Sequence, residues 1–200
     1  MINKNDIINK IKILLKQKNS SNLSIREISK EVGISTGTFY NLFQDKNELL
    51  IEMRKYEIEQ SNIYISSLVD EDKDYLFIPA IRLTLIFGNL VNHEILFETM
   101  NSAKINLSMK ETKMSNIIFS LKKAFKDYTT SYTDEDFIHR EILISGMLDN
   151  VFESYLDGID INIDTMTDLC IRNVYRMFDV PEDKINYVIN NYQKYLKSDD

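Results

Sequence analysis

The segment Leu23–Leu50, LSIREISKEVGISTGTFYNLFQDKNELL, contains the local signals that decide the fold of the N-terminal region. Ser24 precedes Glu27 by three residues, which is the pattern of a reciprocal capping box at the start of a helix. Gly33 ends that helix, because glycine readily adopts the left-handed conformation that a C-terminal cap requires. The first helix of this segment is therefore short and has defined ends.

Two further helix starts follow within the same segment. Ser35 is placed to cap a second helix, and Asp45 with Glu48 predicts a second capping box that opens a third helix at Lys46. A helix, a turn of a few residues containing glycine and a second helix form the helix-turn-helix arrangement. The segment therefore predicts a helix-turn-helix followed directly by another helix.

The second helix divides into an apolar and a polar face. Phe39, Leu42 and Phe43 are spaced to pack inward. The outward positions are uncharged and rich in hydroxyl and amide groups, which suit close docking in a major groove of DNA. These positions are Thr36, Gly37, Thr38, Tyr40 and Asn41. The alternative is that three small helices pack for stability and that their polar residues have no partner.

The run ISKEVGISTGTFYNLFQDKNELL resembles the DNA-binding signature of the TetR family of transcriptional repressors. The resemblance lies in the Val-Gly-Ile-Ser turn, the Gly-x-x-Tyr-x-x-Phe helix and the Lys-x-Glu-Leu-Leu start of the next helix. It covers about the first quarter of the chain. The family implies an all-α fold, with an N-terminal DNA-binding domain and a larger helical bundle for ligand binding and dimerisation.

The resemblance also implies roles for individual residues. Ser24 and Ser35 match positions near phosphates, and Lys46 matches a phosphate-clamping lysine at a helix N-terminus, where the helix dipole favours an anion. Thr36, Leu42 and Gln44 depart from the family, since many members have Lys, His and Lys there. Affinity is therefore expected to depend on Lys46 and on basic residues of the first helix. The predicted DNA-binding set is Ser24, Ser35, Thr36, Gly37, Thr38, Tyr40, Asn41 and Lys46.

The charges of the chain are distributed unevenly. Residues 1–55 contain ten Lys/Arg and six Asp/Glu, a net charge of +4, whereas residues 56–200 contain fourteen and twenty-five, a net charge of −11. A basic module attached to an acidic one favours a local contact with double-stranded DNA and a second domain that does not bind it.

Composition and hydropathy narrow the class of protein. The chain is 44% hydrophobic with only 5 Gly and 2 Pro, which favours helices over loop-rich or all-β structures. A single cysteine, Cys170, excludes an internal disulfide and suits a reducing compartment. The N-terminus lacks the apolar core of a signal peptide, and no apolar run approaches the roughly 18 residues of a membrane span. A cytoplasmic protein with no membrane contact is expected.

Apolar spacing predicts further helices. A helix over residues 4–18 braces the helix-turn-helix, and a linking helix extends from Lys46 towards Leu68. The predicted domains are residues 1–50 for DNA binding and 51–200 for effector binding and dimerisation. Within the second domain, helices are expected over residues 75–100, 109–128 and 134–157, then up to Phe178, and finally after Pro181.

Two adjacent helices, over residues 134–157 and up to Phe178, have spare apolar surface. Such a pair suits an isologous homodimer built as a four-helix bundle, and the family resemblance implies the same arrangement. The predicted interface comprises Ile144, Leu148, Val151, Tyr155, Met166, Leu169, Cys170, Val174 and Met177.

The most apolar segment, residues 75–100, carries a few polar side chains. Apolar walls with a few orienting polar groups are typical of a ligand pocket, although the same polar groups at a bundle seam would simply face solvent. The predicted effector pocket comprises Phe87, Asn89, Val91, Asn92, Phe97, Ile118, Leu121, Met147 and Phe152.

Catalytic motifs are missing from the sequence. It has no Gly-rich phosphate loop and no nucleophile elbow, so we expect no enzyme, no cofactor and no metal. The predicted function is a homodimeric repressor that a small apolar or amphipathic effector releases from a pseudo-palindromic operator. Two alternatives remain open: a regulator without a pocket, and a metal or redox sensor that uses His139 with Glu135, or Cys170.

Overall fold

A computed structural model describes residues 3–18, 23–70, 73–92 and 116–196. These residues form helices joined by turns, with no β-strand among them, so the predicted all-α class is confirmed. The helices are α1 (Lys4–Lys18), α2 (Ile25–Val32), α3 (Thr36–Leu42), α4 (Lys46–Leu68), α5 (Ile78–Asn92, after a 3₁₀ turn at Tyr75–Phe77), α6 (116–124), α7 (Asp134–Leu156), α8 (Ile163–Met177), α9 (Glu182–Asn191) and α10 (Gln193–Leu196).

The predicted ends of α2 are confirmed. The Ser24 hydroxyl accepts a hydrogen bond from the Glu27 N–H, and the Glu27 carboxylate accepts one at 2.8 Å from the Ser24 N–H. Gly33 lies at φ 79°, a left-handed conformation in which glycine has little strain. The Ile34 N–H then donates to the Ser29 carbonyl at 2.9 Å, which completes a Schellman cap.

The box predicted at the start of α4 is only half present. Asp45 accepts the Glu48 N–H at 2.8 Å as expected, but the Glu48 carboxylate accepts the N–H of Gln44 at 2.5 Å instead of that of Asp45. Glu48 therefore fixes the residue before the cap, and with it the turn that joins α3 to α4.

A compact core holds the first four helices together. Apolar side chains of α1 and α2 pack against Phe39 and Phe43, and Leu49 and Met53 of α4 complete the cluster. Each of these four side chains is almost fully buried. The short α3 is thus held by its two aromatic residues, one of which stands just beyond its C-terminus.

The second core lies among α5 to α9. Phe125 stacks on Phe178, with ring centroids 4.3 Å apart, and meets Tyr175 edge-on at 5.2 Å. Tyr175 is fully buried and donates its hydroxyl to the Leu76 carbonyl. Burial in this apolar cluster raises the pKa of Tyr175, so the phenol remains a neutral donor.

One predicted helix end needs correction, and another lies outside the described residues. The helix predicted to reach residue 128 ends at 124, because the Tyr128 N–H bonds three residues back to the Phe125 carbonyl and the chain tightens into turns. Helix α7 starts with a full capping box formed by Thr133 and Asp136. The predictions for residues 93–115, including the tail of the helix expected over 75–100, lie outside the described residues.

The chain divides into two compact units. One comprises Met1–Gln60 and Val91–Lys110, and the other comprises Ser61–Leu90 and Glu111–Asp200. The linking helix predicted from Lys46 is confirmed as α4, which is continuous to Leu68. The boundary between residues 50 and 51 falls inside this helix, and the division into DNA-binding and effector domains stays a prediction.

Candidate nucleic-acid interface

The outward face of α3 consists of short, uncharged polar side chains. Thr36, Gly37 and Asn41 are exposed, and Tyr40 is 55% exposed with its ring edge against Phe39. Leu42 is half-buried and packs against the core, so it is unavailable as a surface contact. The structure therefore brings most of the predicted groove-facing residues onto one short helix.

Thr38 differs from its neighbours because the cap of α3 uses its polar groups. Its N–H donates to the Ser35 hydroxyl at 2.9 Å, and the hydroxyls of the two residues share a second hydrogen bond at 2.9 Å. Thr38 is half-buried. Its hydroxyl is thus held in a fixed direction, and so is the methyl group on the same carbon.

Ser24 and Lys46 share a charged neighbour. Hydrogen bonds from Ser24 lower the pKa of Glu27, and the nearby positive charges of Lys18 and Lys46 lower it further. Lys46 is the first residue of α4 and is half-buried. The start of α2 and the start of α4 therefore lie near one another, where free N–H groups and a cation favour an anion.

The basic residues of α1 are partly neutralised within the same unit. Lys4 pairs with Glu52 at 2.8 Å, Lys12 pairs with Glu57, and Lys18 lies 3.6 Å from Glu31. Burial and the neighbouring Lys12 lower the pKa of Lys16. Three of the charges of α1 therefore also attach it to α2 and α4, and the expectation that affinity depends on α1 stays a prediction.

Two cations that the sequence analysis did not single out lie on α2. Arg26 and Lys30 are one helical turn apart, and both are exposed. In helix-turn-helix proteins the first helix of the motif crosses the DNA backbone. The sequence signal for these two candidate phosphate contacts was the i, i+4 spacing of basic residues beside the capped start of α2.

The residues of the predicted effector pocket are only partly brought together. Phe87 and Phe152 are buried against each other, with ring centroids 5.5 Å apart. Ile118, Leu121 and Met147 belong to one apolar cluster. Asn89 and Val91 are exposed, while Phe97 and the side chain of Asn92 lie outside the described residues. The pocket stays a prediction.

The predicted dimer residues differ in burial and fall into three classes. Ile144, Cys170 and Val174 are buried in the protomer, whereas Leu169 is exposed. Leu148, Val151, Tyr155, Met166 and Met177 are half-buried. Ile142 and Leu143 of α7 lie outside the predicted set and are 54% and 60% exposed. The consecutive apolar run from Ile142 to Ile144 concealed which of its members faces outward.

The candidate sensing residues have ordinary surroundings. His139 lies 3.7 Å from Glu135, and both side chains are largely exposed. No group of three metal-binding side chains comes together within the described ranges. Burial raises the pKa of the Cys170 thiol to about 11, which disfavours the reactive thiolate.

None of the helices that the structure describes is long and apolar enough to cross a membrane.

Known proteins share both the N-terminal region and the overall architecture. Residues 7–53 match the family model described as bacterial regulatory proteins, tetR family. The HTH-type transcriptional regulator SAR2658 of Staphylococcus aureus (strain MRSA252) is 19% identical over 163 residues, which is 81% of this chain and 86% of that protein.

Solved structures resemble almost the whole chain. RolR without ligand has a TM-score of 0.69 at 18% identity, covering 92% of this chain and 95% of RolR. RolR in complex with resorcinol has a TM-score of 0.69 at 17% identity, covering 94% of this chain and 93% of RolR. The fatty acid degradation regulator FadR from Bacillus halodurans has a TM-score of 0.59 at 18% identity, covering 88% and 93%. The N-terminal region is therefore similar to the DNA-binding region of the tetR family of bacterial regulatory proteins, and the chain shares its fold with RolR and FadR.

Proposed function

We propose that this regulator binds a specific DNA operator with α3 in the major groove and acts as a repressor. The observation that carries the proposal is the division of α3 into two faces. Phe39 and Phe43 fix the helix in the core of its unit, while Thr36, Tyr40 and Asn41 project from the opposite side. A rigid helix with short polar side chains is suited to approach base edges closely.

Phosphate contacts come from the ends of the neighbouring helices. Lys46 at the start of α4 and the capped start of α2 supply a cation and N–H groups, and Arg26 and Lys30 extend this positive surface along α2. Tyr40 offers a hydroxyl to the backbone from α3. Such contacts set the position of the protein on the duplex, and α3 then reads the sequence.

The protein acts as a homodimer on a pseudo-palindromic operator in the cytoplasm. A two-fold axis through α7 and α8 would cover the exposed side chains of Ile142, Leu143 and Leu169. The two copies of α3 would then enter successive major grooves about 34–36 Å apart. We assign no catalytic step and no cofactor to the chain.

A small apolar or amphipathic effector releases the repressor. The support is the aromatic pair of Phe87 and Phe152, which joins α5 to α7 in the second unit. An effector works only if it prefers the state that cannot bind DNA, because ligand and DNA affinities are then coupled reciprocally. RolR, which shares this fold, was solved with resorcinol, so this phenol is a reasonable first probe.

The first experiment measures DNA binding by fluorescence anisotropy on the DNA upstream of the gene for this protein. We expect tight binding that survives excess unlabelled competitor of random sequence. Tyr40→Ala should weaken it by about tenfold or more, whereas Tyr64→Ala should leave it unchanged. Tyr64 is the matched control because it is an exposed tyrosine outside the helix-turn-helix.

Salt dependence separates the role of Lys46 from that of Tyr40. Lys46→Ala should reduce the slope of log affinity against log salt by about one, since one phosphate contact is lost. Binding that any competitor removes, with equal losses for both tyrosine variants, would contradict site-specific recognition by α3.

The effector is tested on the same complex. Resorcinol and decanoic acid are titrated into the protein–operator complex while anisotropy is followed, with thermal unfolding of the free protein as a second measurement. A compound that stabilises the free protein and lowers operator affinity supports release by an effector. If a broad set of phenols and fatty acids changes neither quantity, the regulator without a pocket is favoured.

A further inference from the structure

The recognition segment contains no charged residue. From Val32 to Gln44 every side chain is uncharged, and the nearest charges along the chain are Glu31 and Asp45. In the major groove, guanine is read mainly by Arg or Lys at O6 and N7, while the cytosine amino group is read by Asp or Glu. Helix α3 therefore has neither of the charged side chains that read a G·C pair.

The threonines of α3 favour contact with thymine. The hydroxyl of Thr38 is held by Ser35 at 2.9 Å, which also fixes the direction of the methyl group that this residue can present to a base edge. Thr36 is the first residue of the helix and is exposed. A threonine methyl makes an apolar contact with the C5-methyl of thymine, a group that cytosine and the purines lack.

Asn41 supplies the complementary polar contact. It is exposed one turn after Gly37, near the C-terminal end of α3. The carboxamide of asparagine has a donor and an acceptor side by side, which match N7 and the N6 amino group of adenine in a bidentate contact. The outer face of α3 thus offers one group suited to adenine and two suited to thymine.

We propose that α3 reads A·T base pairs, with the methyl groups of Thr36 and Thr38 against thymine and the carboxamide of Asn41 against adenine. The proposal rests on the proposed function, because α3 must enter the major groove. It goes further in naming the bases of each half-site and the atoms that read them. In this proposal Lys46, Arg26 and Lys30 contact phosphates, so they contribute to affinity and do not discriminate between bases.

The first test selects binding sites from a library of randomised duplexes with the full-length protein. We expect enriched half-sites whose central contacted positions are A·T, flanked by positions with no preference. An enriched site with conserved G·C pairs at the positions protected by α3 would overturn the inference and leave site-specific binding intact. A library that yields no enriched sequence would overturn both.

The second test removes single atoms from the selected operator. Replacing thymine by deoxyuridine deletes only the C5-methyl, and we expect this to weaken binding about fourfold, as for one buried methyl group. Replacing adenine by 7-deazaadenine deletes the N7 acceptor and thus one of the two hydrogen bonds, so the loss should stay below the roughly 5- to 150-fold that a whole bidentate contact contributes.

Matched protein variants assign each base atom to its reader. Thr36→Ser and Thr38→Ser each retain the hydroxyl, and hence the Ser35 cap in the case of Thr38, but lose the methyl. The effect of deoxyuridine should disappear in at least one of these variants, and the effect of 7-deazaadenine should disappear in Asn41→Ala. Equal effects of the altered bases on wild type and all three variants would overturn the assignment. Circular dichroism verifies that each variant is folded.

Discussion

Glu27 combines a structural and an electrostatic role in a single exposed side chain. Its carboxylate accepts hydrogen bonds from the Ser24 N–H at 2.8 Å and from the Ser24 hydroxyl at 2.6 Å. These bonds, and then the charges of Lys18 and Lys46, hold its pKa below the usual value of 4.5. Because the folded-state pKa is depressed, the stabilisation by Glu27 is fully present above its unfolded-state pKa and is lost as pH falls through the folded value.

We therefore expect the stability of the N-terminal unit to fall with pH partly through Glu27. Urea unfolding of wild type and Glu27→Gln is compared at about pH 6 and about pH 3.5. Glutamine still accepts the capping bonds but has no charge, so its variant should lose less stability between the two pH values than wild type. Identical losses would show that the carboxylate charge does not stabilise the start of α2.

Individual residues with local roles were predictable from the sequence. Ser24, Gly33 and Ser35 have cap functions that depend on neighbours within a few positions, and the structure confirms all three. Residues whose partners are distant in sequence were not predictable. The bond from Tyr175 to the Leu76 carbonyl spans 99 positions, and only the packed fold reveals it.

At the scale of elements, Arg140 joins three parts of the second unit. From α7, its guanidinium donates to the Met177 carbonyl at the end of α8 at 2.6 Å and to the Tyr132 hydroxyl at 2.8 Å. Tyr132 in turn donates to Asp179 at 2.6 Å. Asp179 has a left-handed φ of 55°, so the turn after α8 is held by side chains where most helix ends use glycine.

Arg140→Lys should destabilise the protein by about 1–3 kcal/mol, because an ammonium lacks the planar set of donors that serves the carbonyls of Met177 and Asp136 and the Tyr132 hydroxyl at once. The matched control is Arg176→Lys. Arg176 pairs with Glu182 at 2.5 Å on the exposed surface, where solvent screening leaves such a pair little effect on stability. Urea unfolding measures both, and equal effects of the two substitutions would contradict the role given to Arg140.

The extent of each element was predictable where apolar periodicity and caps agreed. The starts of α2 and α4 were found from capping residues, and the structure places them at Ile25 and Lys46. The end of α6 was not found, since residues 125–128 continue the apolar pattern. Phe125 is buried in the core whether the backbone is helical or turned, so periodicity does not register the change.

At the scale of the whole molecule, the proposed dimer predicts the effect of a charge on α7. Ile142→Arg should weaken dimerisation by about tenfold or more, because in an isologous interface the new charge faces surface close to its own copy. Sedimentation velocity over a range of concentrations measures the change, and operator affinity should fall with it.

Ile63→Arg is the matched control for that experiment. Ile63 lies on α4 and is 57% exposed, against 54% for Ile142, so both substitutions replace an equally accessible isoleucine. Equal loss of dimer in the two variants, or none in either, would place the interface elsewhere. Unchanged helical content verifies that both proteins are folded.

The assembly was less predictable than the protomer because both use the same kind of residue. A stripe of apolar residues on α8 indicated an interface, yet Cys170 and Val174 are buried in the core of their own protomer. Sequence alone gives the amount of apolar surface on a helix. It does not say how much of that surface the chain itself covers.

The ion pairs of α1 have a consequence for the number of molecules that a cell requires. Lys4, Lys12 and Lys18 are each paired with a glutamate of the same unit, and α3 contributes no charge. Attraction to arbitrary DNA depends on cations that neutralise phosphates. The three ion pairs should therefore lessen the attraction of this protein to arbitrary DNA, so that fewer copies are held away from the operator.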